Sequence, residues 1–347
     1  MLKTFQYQAP FITECGDTLE GLTLAYRTYG QLNANADNVV WVCHALTGSA
    51  DVDRWWAGLF GKGRLLDPSR QFIVCANMLG SCYGSTNPLS PNPSTGTPYY
   101  YDFPVLTNRD IMRGFELLRR HLGIRRIRCL IGGSMGGQQA LEWLIEAPEL
   151  FDSAYLIACN ARHSPWGIAF NEAQRMAIEA DSSWGQRTPG AGLKGMEAAR
   201  ACAMLSYRHY QTYALTQSDA EGCPPTGNFR AASYQKYQGK KLRERFHAFS
   251  YWWLSKAMDS HDVGRGRGGV EAALARIRAQ VLVLGISTDI LFPLAEQQLL
   301  ANYIPHAHLR ILHSVYGHDA FLIETDAVER FYFDCFAQTE SCLFPVS

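Results

Sequence analysis

The sequence predicts an α/β protein, with a mostly parallel central sheet flanked by helices and an inserted helical lid. Three observations carry that prediction. Short apolar or β-branched runs recur along the 347 residues, helical patterns separate them, and this alternation stops between about Arg162 and Arg267 before resuming.

The runs are "VVWVCHAL" from Val39, "FIVCAN" from Phe72, "IRCLIGG" from Ile127, "AYLIAC" from Ala154, "VLVLGIS" from Val281 and "LRILHS" from Leu309. Unbroken apolar runs suit strands buried on both faces, as in a parallel sheet. Between them, "TNRDIMRGFELLRRHLG" reads as a helix. Thr107 caps its start, Ile111, Phe115, Leu118 and Leu122 share one stripe, and Gly123 ends it. A second helix follows Ser134, marked by Ala140, Leu141, Leu144 and Ile145 and stopped by Pro148. Alternating strands and helices make an α/β core.

The interruption contains helical patterns such as "NEAQRMAIEA" and "LKGMEAARACAMLSYR" and no convincing strand. It reads as a lid over the carboxyl edge of the sheet, with "TQSDAEGCPPTGNFRAAS" as a mobile loop inside it. The expected organisation is core residues 1–161, lid residues 162–267 and core residues 268–347.

Composition narrows the function classes. Lys+Arg and Asp+Glu both total 32, so the balanced charge gives no reason to expect a nucleic-acid or membrane-surface partner. No apolar run reaches the length of a membrane span. The ten cysteines include no C-x-x-C pair, and Cys43, Cys75, Cys129 and Cys159 fall inside apolar runs. They read as buried free thiols, with no metal-ligand spacing. The N-terminus lacks the pattern of a secretory leader, so a reduced cytoplasm is the expected location.

The stretch "LIGGSMGGQQALEW" asks for chemistry. Four glycines in six residues cost backbone entropy in both elements they join. Gly132-Gly133-Ser134-Met135-Gly136 matches G-x-S-x-G between a strand and a helix, the context of a strained turn that lifts a serine hydroxyl off a sheet edge. A nucleophilic serine needs a base and the base an orienting acid, in the chain order Ser, Asp, His. Asp289 ends "VLVLGISTD" and His318 follows "LRILHSVYG", each just past its strand. A turn-forming aspartate or a surface histidine would be unremarkable alone; the ordered set of three points to nucleophilic catalysis by Ser134, His318 and Asp289. The oxyanion would sit on the Met135 amide and on one from the loop "CHALTGSAD", with Leu46 the candidate and Ala45 the alternative. His44 reads as a loop-shaping histidine.

Taken together, "HALTG", "NMLGSCYGSTNPLSPNPSTGTPY", "GGSMGGQQALEW", "FNEAQRMAI", "RERFHAFSYWWLSKAMDSHDVGRGRG" and "GHDAFLIE" resemble the homoserine O-acetyltransferase family, acyltransferases with the α/β-hydrolase fold. The resemblance implies transfer of an acetyl group from acetyl-CoA to L-homoserine by a ping-pong acyl-serine route, with no permanently bound cofactor and no metal. It implies that Arg175 grips the substrate carboxylate and Asp319 its ammonium, a pair of charges that suits a zwitterion. It also implies a homodimer formed through the lid. The chain departs from the family pattern at Gln138, where Met is usual, at Ser81 and Asn87, where glycine is usual, and at His247, where Asp is usual.

Rival readings remain at this level. A succinyl donor, a serine acceptor or plain ester hydrolysis would use the same three residues, because fold does not fix function. A non-catalytic binding protein would instead show a broken triad.

Overall fold

The computed structural model describes residues 1–222 and 224–341. Of the ten cysteines, Cys223 and Cys342 lie outside the described residues, and no disulfide joins any two of the other eight.

Every apolar run forms a strand, and four more strands precede them: β1 (Lys3–Tyr7), β2 (Phe11–Ile12), β3 (Thr18–Leu19), β4 (Leu22–Tyr29), β5 (Val39–Cys43), β6 (Phe72–Ala76), β7 (Ile127–Gly133), β8 (Phe151–Ile157), β9 (Gln280–Ile286) and β10 (Ala307–Leu312). The eight-stranded sheet has the order β1-β4-β6-β5-β7-β8-β9-β10, with β2 and β3 paired apart from it. Its strands are parallel from β6 to β10, and β4 and β1 add an antiparallel edge. That edge has no counterpart in the sequence expectations, because "KTFQY" and "LTLAYRTY" mix polar and apolar positions. Burial follows position in the sheet. Every residue of central β5 is buried, whereas edge strand β10 alternates.

Helices cover both faces. In chain order they are α1 (Val52–Trp55), α2 (Asn108–His121), α3 (Met135–Glu146), α4 (Pro165–Glu179), α5 (Leu193–Tyr207), α6 (Tyr210–Gln217), α7 (Arg230–Arg243), α8 (Ala248–Asp259), α9 (Val270–Leu274), α10 (Leu294–Tyr303), α11 (Ala320–Ile323) and α12 (Thr325–Ser341). On one face Trp41, Phe115 and Trp143 meet in the largest cluster, Trp41 and Trp143 edge to face with ring centroids 5.0 Å apart. On the other, Val40, Val42, Tyr155 and Phe321 pack together. Alternate residues of one strand therefore feed different cores. Thr107 caps α2 as expected, in a full capping box. Its side chain accepts from the Asp110 amide, and the Asp110 carboxylate accepts from the Thr107 amide.

Between β8 and α9 the chain leaves the sheet and forms α4 to α8. The two crossing segments pair antiparallel, with the His163 amide donating to the His261 carbonyl and the Val263 amide to the Ala161 carbonyl, each at 2.9 Å. Beneath this neck lies Gln138 of α3. It donates to Asn160 Oδ1 at 2.9 Å and accepts from Asn108 Nδ2 at 3.2 Å. A polar side chain here is tolerated because both ends of its amide are satisfied.

The capping box predicts a stability effect separable from chemistry. Thr107→Ala should lower unfolding stability by about 1 kcal/mol, read as a lower urea midpoint at unchanged slope.

Candidate active site

Ser134 joins β7 to α3 with φ +56° and ψ −128°, a conformation that side chains adopt rarely, and it is the N-cap of α3. The four glycines around it explain themselves by contact. A Cβ on Gly136 would overlap the Cys43 carbonyl at the end of β5, and one on Gly132 the Gly136 carbonyl. One on Gly137 would strike Cys159, and one on Gly133 the ring of Phe321. The turn is sharp because neighbouring backbone occupies the space side chains would need. The Ser134 amide donates to the Ile157 carbonyl at 2.9 Å, fixing the turn to the end of β8.

Asp289 and His318 meet directly, with His318 Nδ1 2.6 Å from Asp289 Oδ2. The other oxygen, Oδ1, accepts from the Leu291 and Phe292 amides at 2.8 and 2.9 Å, which holds the carboxylate's orientation. Thr288 clasps the histidine loop. Its hydroxyl donates to the Ser314 carbonyl and accepts from the Gly317 amide. With Nδ1 donating to Asp289, Nε2 is left as the basic atom. The imidazole is boxed by the rings of Phe292, Phe321 and Tyr207, at 5.2, 5.6 and 5.8 Å between centroids. Phe321 lies against both His318 and Gly133, so the histidine and the residue before Ser134 share one aromatic wall. Burial opposes charge on His318. The charge and hydrogen bond of Asp289, with the charge of Asp319, outweigh it and raise the proton affinity above the usual value.

The Met135 amide opens α3, where the helix dipole favours negative charge. Leu46 is the second residue of a turn closed by the Gly48 amide on the Ala45 carbonyl at 2.8 Å. His44 Nδ1 reaches the same carbonyl at 2.9 Å, and its Nε2 is 3.4 Å from the Met78 amide. Burial drops the His44 pKa to about 4, so the ring is neutral and shapes the loop. Neither the Leu46 nor the Met135 amide meets an acceptor among the described residues.

Arg175 lies inside the lid. It is 1% exposed, and its guanidinium is spent inside the lid: Nε and Nη2 on Glu172, Nη1 on Ser255 and Nη2 on Asp259, at 2.5 to 2.9 Å. Four of its five N–H donors are engaged within the lid. Asp319 is instead matched with Arg208, Nε to Oδ2 at 3.1 Å. That Nε is buried and makes no aligned hydrogen bond, so the pair touches without being satisfied. Arg208 follows the end of α5, and the Tyr207–His209 backbone presses on Gly317, directly before His318. Sequence reasoning missed Arg208. Its partner lies 111 residues away, and only its place at the end of an apolar helix set it apart.

Among the described residues, no group of three His, Cys, Asp or Glu could hold a metal ion, and no helix is long and apolar enough to cross a membrane. The arrangement is suited to attack on an acyl carbonyl, and one side-chain charge of each sign, Arg208 and Asp319, lies beside the base.

Comparison with known proteins identifies the family and the fold. A profile of the alpha/beta hydrolase fold matches residues 38–325. The chain is 53% identical over 325 residues to a homoserine O-acetyltransferase of Cyclobacterium marinum, covering 94% of this chain and 92% of the relative. The crystal structure of homoserine O-acetyltransferase from Bacillus anthracis superposes with a TM-score of 0.88 at 24% identity, covering 96% of this chain and 97% of that one. Esterase E22 superposes with a TM-score of 0.84 at 23% identity, covering 95% and 100%. At such identities the two structures speak for the fold alone.

A base raised above the ordinary histidine value of 6.5 loses activity as pH falls through its own pKa. Acylation by an activated acetyl ester should therefore decline on an acidic limb centred above 6.5. Asp319→Asn removes one of the charges favouring the imidazolium, so it should move that limb to lower pH. A pH–rate profile of both proteins checks the sign.

Proposed function

The chain belongs to the homoserine O-acetyltransferase family of α/β-hydrolase-fold enzymes, and from that premise we propose that it transfers the acetyl group of acetyl-CoA to the hydroxyl of L-homoserine, a step of methionine biosynthesis. The observation that carries the reading from acyl chemistry to an amino-acid acceptor is the unsatisfied Arg208–Asp319 pair beside His318.

The reaction proceeds in two halves. His318 Nε2 takes the Ser134 proton as Oγ attacks the thioester carbonyl, and the oxyanion rests on the Leu46 and Met135 amides. The tetrahedral intermediate collapses, the C–S bond breaks, and the proton on His318 passes to the leaving CoA thiolate. Homoserine then enters. Its carboxylate replaces Asp319 on the inner face of Arg208, and its ammonium takes Asp319 as counter-ion. His318 removes the hydroxyl proton, the oxygen attacks the acetyl-serine ester, and the proton returns to Ser134. Water is the rival acceptor in the second half. The aromatic box around His318 and the lid contact at Gly317 keep the base in a dry setting.

A homodimer through the lid in a reducing cytoplasm completes the reading. Tyr210 and Leu215 of α6 are 82% and 72% exposed, and Leu205 of α5 is also exposed, an apolar display that suits a partner surface. The absence of a disulfide among the eight described cysteines suits a reducing compartment.

The test is CoA thiol release from acetyl-CoA or succinyl-CoA, each with L-homoserine, L-serine or no acceptor. Release from acetyl-CoA should require homoserine, and Ser134→Ala should lower it by roughly 10⁴-fold or more. Release independent of acceptor would make the protein a hydrolase. Arg208→Gln should raise the homoserine KM by roughly 30- to 100-fold, the loss of a charge-assisted contact of about 2–3 kcal/mol. Arg175→Met should leave that KM unchanged and instead destabilise the fold by about 3–5 kcal/mol, since it strands Asp259 in the lid.

A further inference from the structure

The oxyanion loop is held from the lid as well as from the core. Arg245 lies between α7 and α8, and its Nη1 donates to the Thr47 carbonyl at 2.7 Å and to the Tyr83 hydroxyl at 2.6 Å. Its Nη2 stands 3.5 Å from the Thr47 hydroxyl. Thr47 is the residue after Leu46. We propose that Arg245 is a positioning residue for the oxyanion hole, aiming the Leu46 amide through two peptide planes linked by the Gly48–Ala45 hydrogen bond. The proposal rests on the acyl-serine reading above.

The argument is one of rigid planes. A peptide group is planar and trans, so its C=O and N–H point in opposite directions and turn together. The Thr47–Gly48 peptide is gripped at both ends. Its carbonyl accepts from Arg245, and its amide donates to the Ala45 carbonyl at 2.8 Å. The Ala45–Leu46 peptide is thereby fixed at its carbonyl, which also accepts from His44 at 2.9 Å. Its other end is the Leu46 N–H, which is left pointing away from both donors and free of any protein acceptor among the described residues. Without Arg245, the Thr47–Gly48 plane keeps one anchor and gains freedom to rotate, and the Leu46 plane loses a fixed neighbour.

The requirement is chemical. An oxyanion donor is worth its full effect only when it is aimed before the reaction begins, and small displacements at such a site are costly in rate. The grip also explains why a charged residue sits at this corner of the lid. The guanidinium is exposed, so its contacts with Thr47 and Tyr83 add little to folding.

The test uses p-nitrophenyl acetate, which acetylates the serine without CoA or homoserine. Arg245→Met keeps the aliphatic stem and removes every donor. Its acylation rate constant should fall roughly 10- to 100-fold while the burst amplitude, which counts folded sites, stays at one per chain. With acetyl-CoA and homoserine, kcat should fall with both KM values unchanged. Arg245→Lys retains one donor for the Thr47 carbonyl, so it should fall between the two and guards against a methionine variant that does not fold. Acylation at the unaltered rate in either variant overturns the proposal. A raised acetyl-CoA KM with unaltered p-nitrophenyl acetate acylation also overturns it, and would make Arg245 a CoA ligand. If the unaltered protein itself shows no burst and no acetyl group on Ser134, the acyl-serine reading has failed instead.

Discussion

The site depends on how closely the first turn of α3 approaches the end of β5. Backbone meets backbone where Gly136 faces the Cys43 carbonyl, and no side chain fits between them. This approach bends the chain sharply enough to hold Ser134 at positive φ, and it brings the amide of Met135 beside the loop that follows β5. Leu46 belongs to that loop. The proposed nucleophile and the proposed oxyanion donors are thus two outcomes of one steric fact. The strain at Ser134 is sustained by β7 on one side and by the buried α3 on the other.

What was legible in the sequence followed from local pattern. Apolar runs announce buried strands, so β5 to β10 could be read directly, and with them the strand ends that carry Ser134, Asp289 and His318. The glycine spacing could be read because only close packing asks for it. The antiparallel edge of β1 and β4 stayed hidden, since strands that mix polar with apolar residues offer no run to notice. Arg175 and Arg208 show the limit more sharply. Both follow or occupy amphipathic lid helices, and a side-chain pattern says only that each is near a buried face. Which one is held by carboxylates of its own lid and which stands beside Asp319 depends on Asp259, Glu172 and Asp319, partners the linear pattern does not pair.

The lid touches the catalytic loops at more than one place. Thr212 of α6 donates to the Val315 carbonyl in the histidine loop, the Tyr207–His209 turn abuts Gly317, and Arg245 reaches the oxyanion loop. The lid, which carries none of Ser134, Asp289 and His318, therefore borders both the loop of His318 and the loop that follows β5. In the proposed reaction, a hydrolase-type core becomes suited to a charged acceptor because the lid places Arg208 against Asp319, next to His318.

The neck described between residues 160–163 and 261–263 brings the two ends of the lid side by side. From the sheet's point of view the whole insertion begins and ends at one point, however many residues lie between. Closing a longer or shorter loop at fixed ends changes the chain entropy only logarithmically with its length. The lid is in that sense an interchangeable cassette. Sequences that keep the core and its paired neck are free to exchange the helices above it, and with them the acceptor, without disturbing the strands that hold the nucleophile.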